Sequence, residues 1–234
     1  MSAIVDRLFW AIKHGAPIPT FPENLDIPDS YEVQKKVSER IYSSKLVGLK
    51  AGVTSEEMQN ILRISTPLIG GLFQENRLDD NPKLTFKEGR LIECELGIFS
   101  DIHGNVQAVC AAIEFAVLDF EKKTDLSGPN LVASNVAVEK FLLGKKSIDV
   151  DSLSKEKCSL FRGTTQVNDA YIGDSLGGPR EAAKFIASEA LRRGYALQEQ
   201  CVFLSGACGD VIKAEPGEYR AEFGGLCKLR FEII

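Results

Sequence analysis

The sequence predicts an α+β protein in which a helical N-terminal section precedes a β-rich core. Residues 1–45 contain two segments with apolar residues at helical spacing. From residue 46 onward, short apolar runs interrupted by glycines dominate, which is typical of strands. We therefore divide the chain into a helical section, 1–45, and a β-rich domain, 46–234, and expect the two to form one structural unit.

Four amphipathic segments predict helices. They cover residues 3–14, 31–41, 55–63 and 179–193. In the third segment, Thr54 and Glu57 have the spacing of a capping box. In the fourth, Pro179 suits the first helical turn and Gly194 suits the C-terminal stop.

Four apolar runs predict strands. They are Leu46–Val53, Leu91–Phe99, Val202–Ser205 and Leu226–Ile233. The stretch 145–170 is more polar and has no clear period, so we interpret it as a long surface loop or lid.

Composition excludes several classes of protein. Twenty-eight basic residues against 33 acidic ones give a net charge of −5, which argues against a nucleic-acid or membrane surface. Asp6 and Arg7 interrupt the apolar N-terminus, so it does not read as a signal peptide. The six cysteines contain no C-x-x-C pair, which disfavours a zinc site. These features predict a cytoplasmic protein.

Two glutamates share one face of the strand predicted at Leu91–Phe99. Side chains alternate along a strand, so Glu93 and Glu95 project together, about 7 Å apart, opposite an apolar face. Neighbouring carboxylates repel each other unless solvent or a cation separates them. The pair alone therefore fits either a solvated strand face or a cation site.

Glu114 lies in an apolar run, AVCAAIEFAVLDF, at 108–120. A buried carboxylate needs a cation or a hydrogen-bond partner, because burying it unpaired costs several kcal/mol. An exposed position on a helix or an edge strand is the alternative. Three carboxylates without histidine or thiolate suit a hard cation, Mg²⁺ or Mn²⁺.

Lys50 and two glycine-bearing segments are further candidates. On a strand, Lys50 shares its face with Gly48 and Gly52, which leave room for a ligand, although most lysines in such a place are merely on the surface. The segments STPLIGGLF (65–73) and LSGACGD (204–210) can approach a ligand closely. Neither segment has the spacing of a nucleotide-binding loop.

The order of these motifs resembles the 2-oxopent-4-enoate hydratase / 4-oxalocrotonate decarboxylase family, within the fumarylacetoacetate hydrolase superfamily. The resemblance extends over most of the chain, and its order and spacing carry more weight than any single motif. The matching segments are SYEVQ (30–34), VGLKAGVTS (47–55), TPLIGGL (66–72), IECEL (92–96), AAIEF (111–115), SNVAVEKFLLG (134–144), LGGPREAAKFIA (176–187), FLSGACG (203–209) and FGGLCKLRFEI (223–233).

The resemblance implies a fumarylacetoacetase C-terminal-like fold, a divalent metal and a homo-oligomer, or a complex with a related enzyme of aromatic catabolism. It assigns the metal to Glu93, Glu95 and Glu114, and substrate contact to Lys50. We also expect Leu68, Ser205 and Gly206 to contact the substrate. The metal would chelate a short 2-oxo acid and stabilise an enolate, in a reaction that either adds water or releases CO₂.

One departure from the family leaves the reaction open. Family hydratases usually carry an aspartate, thought to act in proton transfer, where this chain has Leu68. Our first hypothesis is a 2-keto-4-pentenoate hydratase. The alternatives are a 4-oxalocrotonate-type decarboxylase, a C–C bond hydrolase of the fumarylacetoacetate type, and a non-catalytic diverged subunit or binding scaffold.

Overall fold

The structure, a computed structural model, describes residues 2–21, 25–150, 153–224 and 226–234. These residues form five α-helices and twelve β-strands. The helices are α1 (Ser2–His14), α2 (Ile27–Ile41), α3 (Glu56–Leu62), α4 (Gly128–Ala133) and α5 (Pro179–Arg192). The strands are β1 (Leu46–Gly52), β2 (Leu68–Phe73), β3 (Lys83–Leu84), β4 (Arg90–Ser100), β5 (Val106–Val117), β6 (Val138–Leu143), β7 (Lys157–Arg162), β8 (Thr165–Tyr171), β9 (Cys201–Leu204), β10 (Ile212–Lys213), β11 (Gly217–Phe223) and β12 (Cys227–Ile233).

The larger sheet curls until its two edge strands meet. Its order is β2-β1-β9-β4-β5-β6, with β10 paired to β4, and only β1 and β9 run parallel. Leu72 of β2 and Phe141 of β6 are both fully buried in one apolar cluster with residues of β5 and β9. The concave face of this sheet is therefore a closed interior, like that of a small barrel.

The convex face of the larger sheet packs against the second sheet and α5. The second sheet has the order β3-β12-β11-β7-β8. Phe115 of β5 meets Phe231 of β12 edge to face, with ring centroids 5.1 Å apart. These contacts belong to the main hydrophobic core, which also contains Ile92, Ile98 and Ile186.

The N-terminal helices cover the β2 side of the barrel. Helix α1 packs on α2, and α2 packs on α4 around Leu8, Val33 and Val37. The Tyr31 hydroxyl of α2 accepts a hydrogen bond from the backbone N–H of Ile69, which ties this helix to β2. No helix in the described ranges has the length and apolar character needed to cross a membrane.

The predicted α+β class and all four predicted helices are confirmed, but two local interpretations are wrong. Ser55, not Thr54, caps α3, because its side chain accepts from the Met58 N–H. The segment 145–170 is not a loop or lid, since most of it forms the β7–β8 hairpin of the second sheet. The predicted strands β1, β4, β9 and β12 are confirmed, whereas β2, β5, β6 and β11 escaped prediction.

Candidate active site

Three glutamates and a lysine meet inside the barrel at one end. Glu93 of β4 lies directly opposite Glu114 of β5 in the strand register, and Glu95 follows two residues along β4 on the same face. Each glutamate offers a carboxylate oxygen within 4.8 Å of the others. Lys50 of β1 is paired with Leu204 and projects from its strand into the same interior.

The rest of the interior is apolar and closely packed. Leu72, Ala112 and Leu204 fill the space below the charged groups and are shielded from solvent. Gly97 follows Glu95 on the same face, and a Cβ there would lie 2.7 Å from the Cys110 Sγ. The charged cluster is therefore closed off from below.

Only part of the hydrogen-bonding capacity of this cluster is used by the protein. The Gly206 N–H donates to Glu95 Oε2 at 2.8 Å, and Lys50 Nζ lies 3.1 Å from Glu114 Oε1. Glu95 Oε1 and Glu114 Oε2 are buried and have no hydrogen-bond partner among the described residues. Buried carboxylate oxygens rarely stay unpartnered without a reason.

Burial and mutual repulsion shift the pKa values of the cluster. Burial raises the pKa of Glu93 to about 7, with Lys50 opposing this shift and Glu114 adding to it. Burial, together with Glu114 and Glu93, also raises the pKa of Glu95. Burial alone would lower the pKa of Lys50, but the three carboxylates outweigh it, so this pKa is raised.

These residues fit a divalent cation. When all four groups are ionised, three negative charges and one positive charge leave two negative charges in a buried place. A dication balances them and gives ligands to the orphaned oxygens of Glu95 and Glu114. Oxygen-only donors are those that Mg²⁺ and Mn²⁺ prefer.

The cluster opens into a cavity of about 350 Å³. Lys50 and Glu93 line this cavity, and so do the hydroxyl-bearing residues Thr54 and Ser55. The other lining residues are Gly52, Val53, Met58, Leu62, Leu91, Ala116, Leu118, Leu126, Leu131, Val136, Ala137, Ala207, Gly209 and Val211.

The other three residues predicted to contact substrate, Leu68, Ser205 and Gly206, are not among the described residues that line this cavity. Leu68 begins β2, is 2% exposed, packs in the main core and is not among the residues that line the cavity. The Ser205 hydroxyl accepts a hydrogen bond from the Leu96 N–H, which joins β9 to β4. Gly206 has φ +87°, and a Cβ there would lie 2.5 Å from Thr54 Cγ2, so a glycine is needed to aim its N–H at Glu95.

One wall of the cavity, the turn at Asn135–Ala137, was not among the predicted site residues, although it lies in a segment that matches the family. Asn135, Val136 and Ala137 all have positive φ, between 51° and 63°, although none is glycine. The Asn135 side chain accepts from the Gly71 N–H at 2.7 Å and donates to the Gly71 carbonyl at 3.0 Å. This turn brings Val136 against Gly52, where an added Cβ would lie 2.6 Å from Val136 Cγ1.

Comparison with known proteins agrees with this architecture. No family model matches the chain. It is 26% identical to 2-keto-4-pentenoate hydratase of Paraburkholderia xenovorans (strain LB400), over 97% of this chain and 92% of that one. It is 28% identical to 2-keto-4-pentenoate hydratase of Paraburkholderia phymatum, over 80% and 77% of the two chains.

Solved structures share the fold. The 4-oxalocrotonate decarboxylase from Pseudomonas putida G7, complexed with magnesium and adipate, superposes with a TM-score of 0.89 at 20% identity, over 99% of this chain and 96% of that one. The 2-hydroxyhepta-2,4-diene-1,7-dioate isomerase from Mycobacterium marinum gives 0.60 at 12% identity, over 82% and 76%.

The curled sheet with its buried carboxylates is thus the fold of the fumarylacetoacetate hydrolase superfamily. In sequence, the chain is similar to hydratases of the 2-oxopent-4-enoate hydratase / 4-oxalocrotonate decarboxylase family. These similarities identify it as an enzyme.

Proposed function

We propose that this enzyme is a divalent-metal-dependent lyase that hydrates a 2-oxo acid of the 2-keto-4-pentenoate type. The observation that carries the proposal is the cluster of Glu93, Glu95 and Glu114 beside a cavity, with two buried oxygens that no donor among the described residues reaches. The hydratase relatives support the choice of reaction.

Each residue of the cluster has a distinct part in the proposal. Glu93, Glu95 and Glu114 would hold Mg²⁺ or Mn²⁺, and the Gly206 N–H keeps Glu95 oriented. The bound metal would supply Lewis-acid polarisation of a 2-oxo group. Lys50 keeps its proton because Glu114 lies 3.1 Å away, so its ammonium can donate to an anionic substrate oxygen. The apolar packing below the cluster excludes water from that side, which strengthens these charge interactions.

The test is turnover of 2-hydroxypenta-2,4-dienoate with millimolar Mg²⁺ or Mn²⁺, followed by the loss of dienoate absorbance and by NMR of the product. We expect metal-dependent hydration that chelation abolishes. Glu95→Gln should lower kcat/KM by more than about a hundredfold, because it removes a proposed ligand. Glu88→Gln is the matched control, since Glu88 is 79% exposed and pairs only with Lys213 in the salt bridges described. Metal-independent turnover, or an active Glu95→Gln variant, would contradict the proposal.

Decarboxylation is the second candidate, and Leu68 favours it. A general acid or base typically contributes about 10²–10⁴-fold to a rate, and leucine can supply neither role where the resemblance implies an aspartate. The structural likeness to 4-oxalocrotonate decarboxylase fits this candidate as well. Release of CO₂ from 4-oxalocrotonate without hydration of the dienoate would identify the enzyme as a decarboxylase rather than a hydratase.

A further inference from the structure

The walls of the cavity become apolar immediately beyond the glutamates. On the face of β4 that carries Glu93, the next side chain outward is Leu91. On the face of β5 that carries Glu114, the next is Ala116, which is paired with Leu91. At about 3.3 Å per residue, this change takes place within about 7 Å of the carboxylates.

Leucines from three separate parts of the chain line the part of the cavity away from the glutamates, which we call its far end. Leu62 comes from α3 and Leu131 from α4, and both are more than nine-tenths buried in the main core. Leu118 and Leu126 come from the segment between β5 and α4 and pack on the same core. This part of the cavity is therefore a preformed apolar wall rather than an open polar surface.

The cavity offers a second anionic group no partner. Among the described residues that line it, Lys50 is the one cation, and it already pairs with Glu114. Thr54 and Ser55 provide only neutral hydroxyls, close to Lys50 in the chain. A carboxylate at the far end would lose its hydration among leucines, and an unpaired charge tolerates such burial poorly.

The cavity also exceeds the needs of a short acid. Its volume of about 350 Å³ falls within the range of pockets that enclose drug-sized ligands. A 2-oxo acid held by its carboxylate and oxo group at the glutamates would leave the leucine-lined part for its tail.

We infer, on the basis of the proposed function, that the substrate is a 2-oxo acid whose far end is a neutral, branched or aromatic hydrocarbon group. The enzyme selects against dicarboxylates, because the far wall gives an apolar tail contact area and gives a second carboxylate no cation.

The inference is tested by calorimetric titration of the protein in millimolar Mg²⁺ with non-reacting saturated 2-oxo acids. The series is 2-oxobutanoate, 2-oxohexanoate, 4-phenyl-2-oxobutanoate and 2-oxohexanedioate. We expect Kd to fall by about three- to fourfold for each buried methylene, with the phenyl compound binding most tightly. The dicarboxylate should bind at least about tenfold more weakly than 2-oxohexanoate.

A cation placed in the far wall should reverse the preference. Leu126→Arg should tighten binding of 2-oxohexanedioate at least about tenfold and weaken that of the phenyl compound. Val211→Arg, at a rim position that is 47% exposed, is a second variant in case the first fails to fold. Leu191→Arg is the control, because Leu191 is 82% exposed on α5 and does not line this cavity.

The outcomes separate this inference from the proposed function. Mg²⁺-dependent binding of 2-oxobutanoate, with the dicarboxylate as tight as 2-oxohexanoate or with no gain from a longer tail, would overturn the inference and leave the proposed function in place. Absence of Mg²⁺-dependent binding by every acid would overturn the proposed function, and the inference with it.

Discussion

Glu93 of β4 is paired directly with Glu114 of β5, and both carboxylates point into the interior of the barrel. Two charges placed in this way repel each other strongly, and the protein can relieve the repulsion with protons or with a cation. The pKa values of Glu93 and Glu95 are raised, so in the absence of metal the repulsion is relieved by protons on these carboxylates. Protons and metal therefore compete for the same oxygens.

This competition predicts how the stability of the metal-free protein depends on pH. Burial first, then repulsion from Glu114, raises the pKa of Glu93 from 4.5 to about 7 in the folded state. Between these values the native state binds more protons than the unfolded state, so the free energy of unfolding falls as pH rises from about 4.5 to 7. Urea denaturation at several pH values in this range, in the presence of a chelator, measures how steeply the free energy of unfolding depends on pH.

A matched variant identifies the group that is responsible. Glu93→Gln should make the slope shallower, with the remainder due to Glu95, whose pKa is also raised, whereas Glu88→Gln, at an exposed site, should leave it unchanged. The carboxylates with lowered pKa, such as Glu75 at about 2 and Asp169, have the opposite effect, but this effect is confined to the acidic end of the window, where the unfolded state still binds protons, so the slope is measured in the upper part of the window. Stability that rises between pH 4.5 and 7 would contradict the assignment.

Much of the candidate site could be predicted one residue at a time. Period-2 alternation places Glu93 and Glu95 on one face, and a lone charge in an apolar run marks Glu114. The ion pair between Lys50 and Glu114 could not be predicted, because it depends on how β1, β9, β4 and β5 are ordered in the sheet. The catalytic roles of these residues stay predictions.

At the scale of elements, the Asn135–Ala137 turn is the part of the site least accessible to sequence reasoning. Left-handed backbone at three consecutive non-glycine residues is unfavourable, and a β-branched valine makes it more so. The structure holds it with the two hydrogen bonds between the Asn135 side chain and the Gly71 backbone. The sequence alone does not show that the side-chain amide of Asn135 will form hydrogen bonds with the backbone of β2.

The second prediction about stability concerns Asn135, which anchors this turn. Asn135→Ala removes both hydrogen bonds and leaves the buried Gly71 N–H and carbonyl without them, which should lower the free energy of unfolding by about 1–3 kcal/mol. Substrate binding should weaken too, because Val136 and Ala137 line the cavity. Asn60→Ala, on the exposed surface of α3, is the control for urea denaturation. A change below about 0.5 kcal/mol would show that the turn does not need this anchor.

The β7–β8 hairpin illustrates why a strand can escape prediction. In β7, only Cys158 and Leu160 are fully buried, and in β8 the buried side chains are Asn168 and Ala170. Strands with so few apolar side chains lack the alternation that indicates a sheet. Helices α1, α2 and α5 were predictable because apolar residues recur at helical spacing along each of them.

At the scale of the whole molecule, the closed sheet places buried apolar side chains and the charged cluster in the same interior. Leu72, Phe141 and Leu204 are buried in this interior, and the charged cluster reaches the cavity through Glu93 and Lys50. The contact between β2 and β6 that closes the barrel joins residues about 70 positions apart, and no local pattern encodes it. The family resemblance, by contrast, identified the fold as a whole.

Because a cation can replace the protons of the cluster inside the fold, the stability of the whole molecule should depend on the metal. A cation that binds only the native state stabilises it by about 2.7 kcal/mol at a hundred times its Kd. For a chain of this size, that raises Tm by about 5–10 °C. Scanning calorimetry with millimolar Mg²⁺ or Mn²⁺ should show this increase, and Na⁺ at matched ionic strength should not.

Glu114→Gln should lose the increase and Glu88→Gln should keep it, because only Glu114 lies in the buried cluster. If the Tm of the wild-type protein is the same with and without the dication, Glu93, Glu95 and Glu114 do not form a metal site.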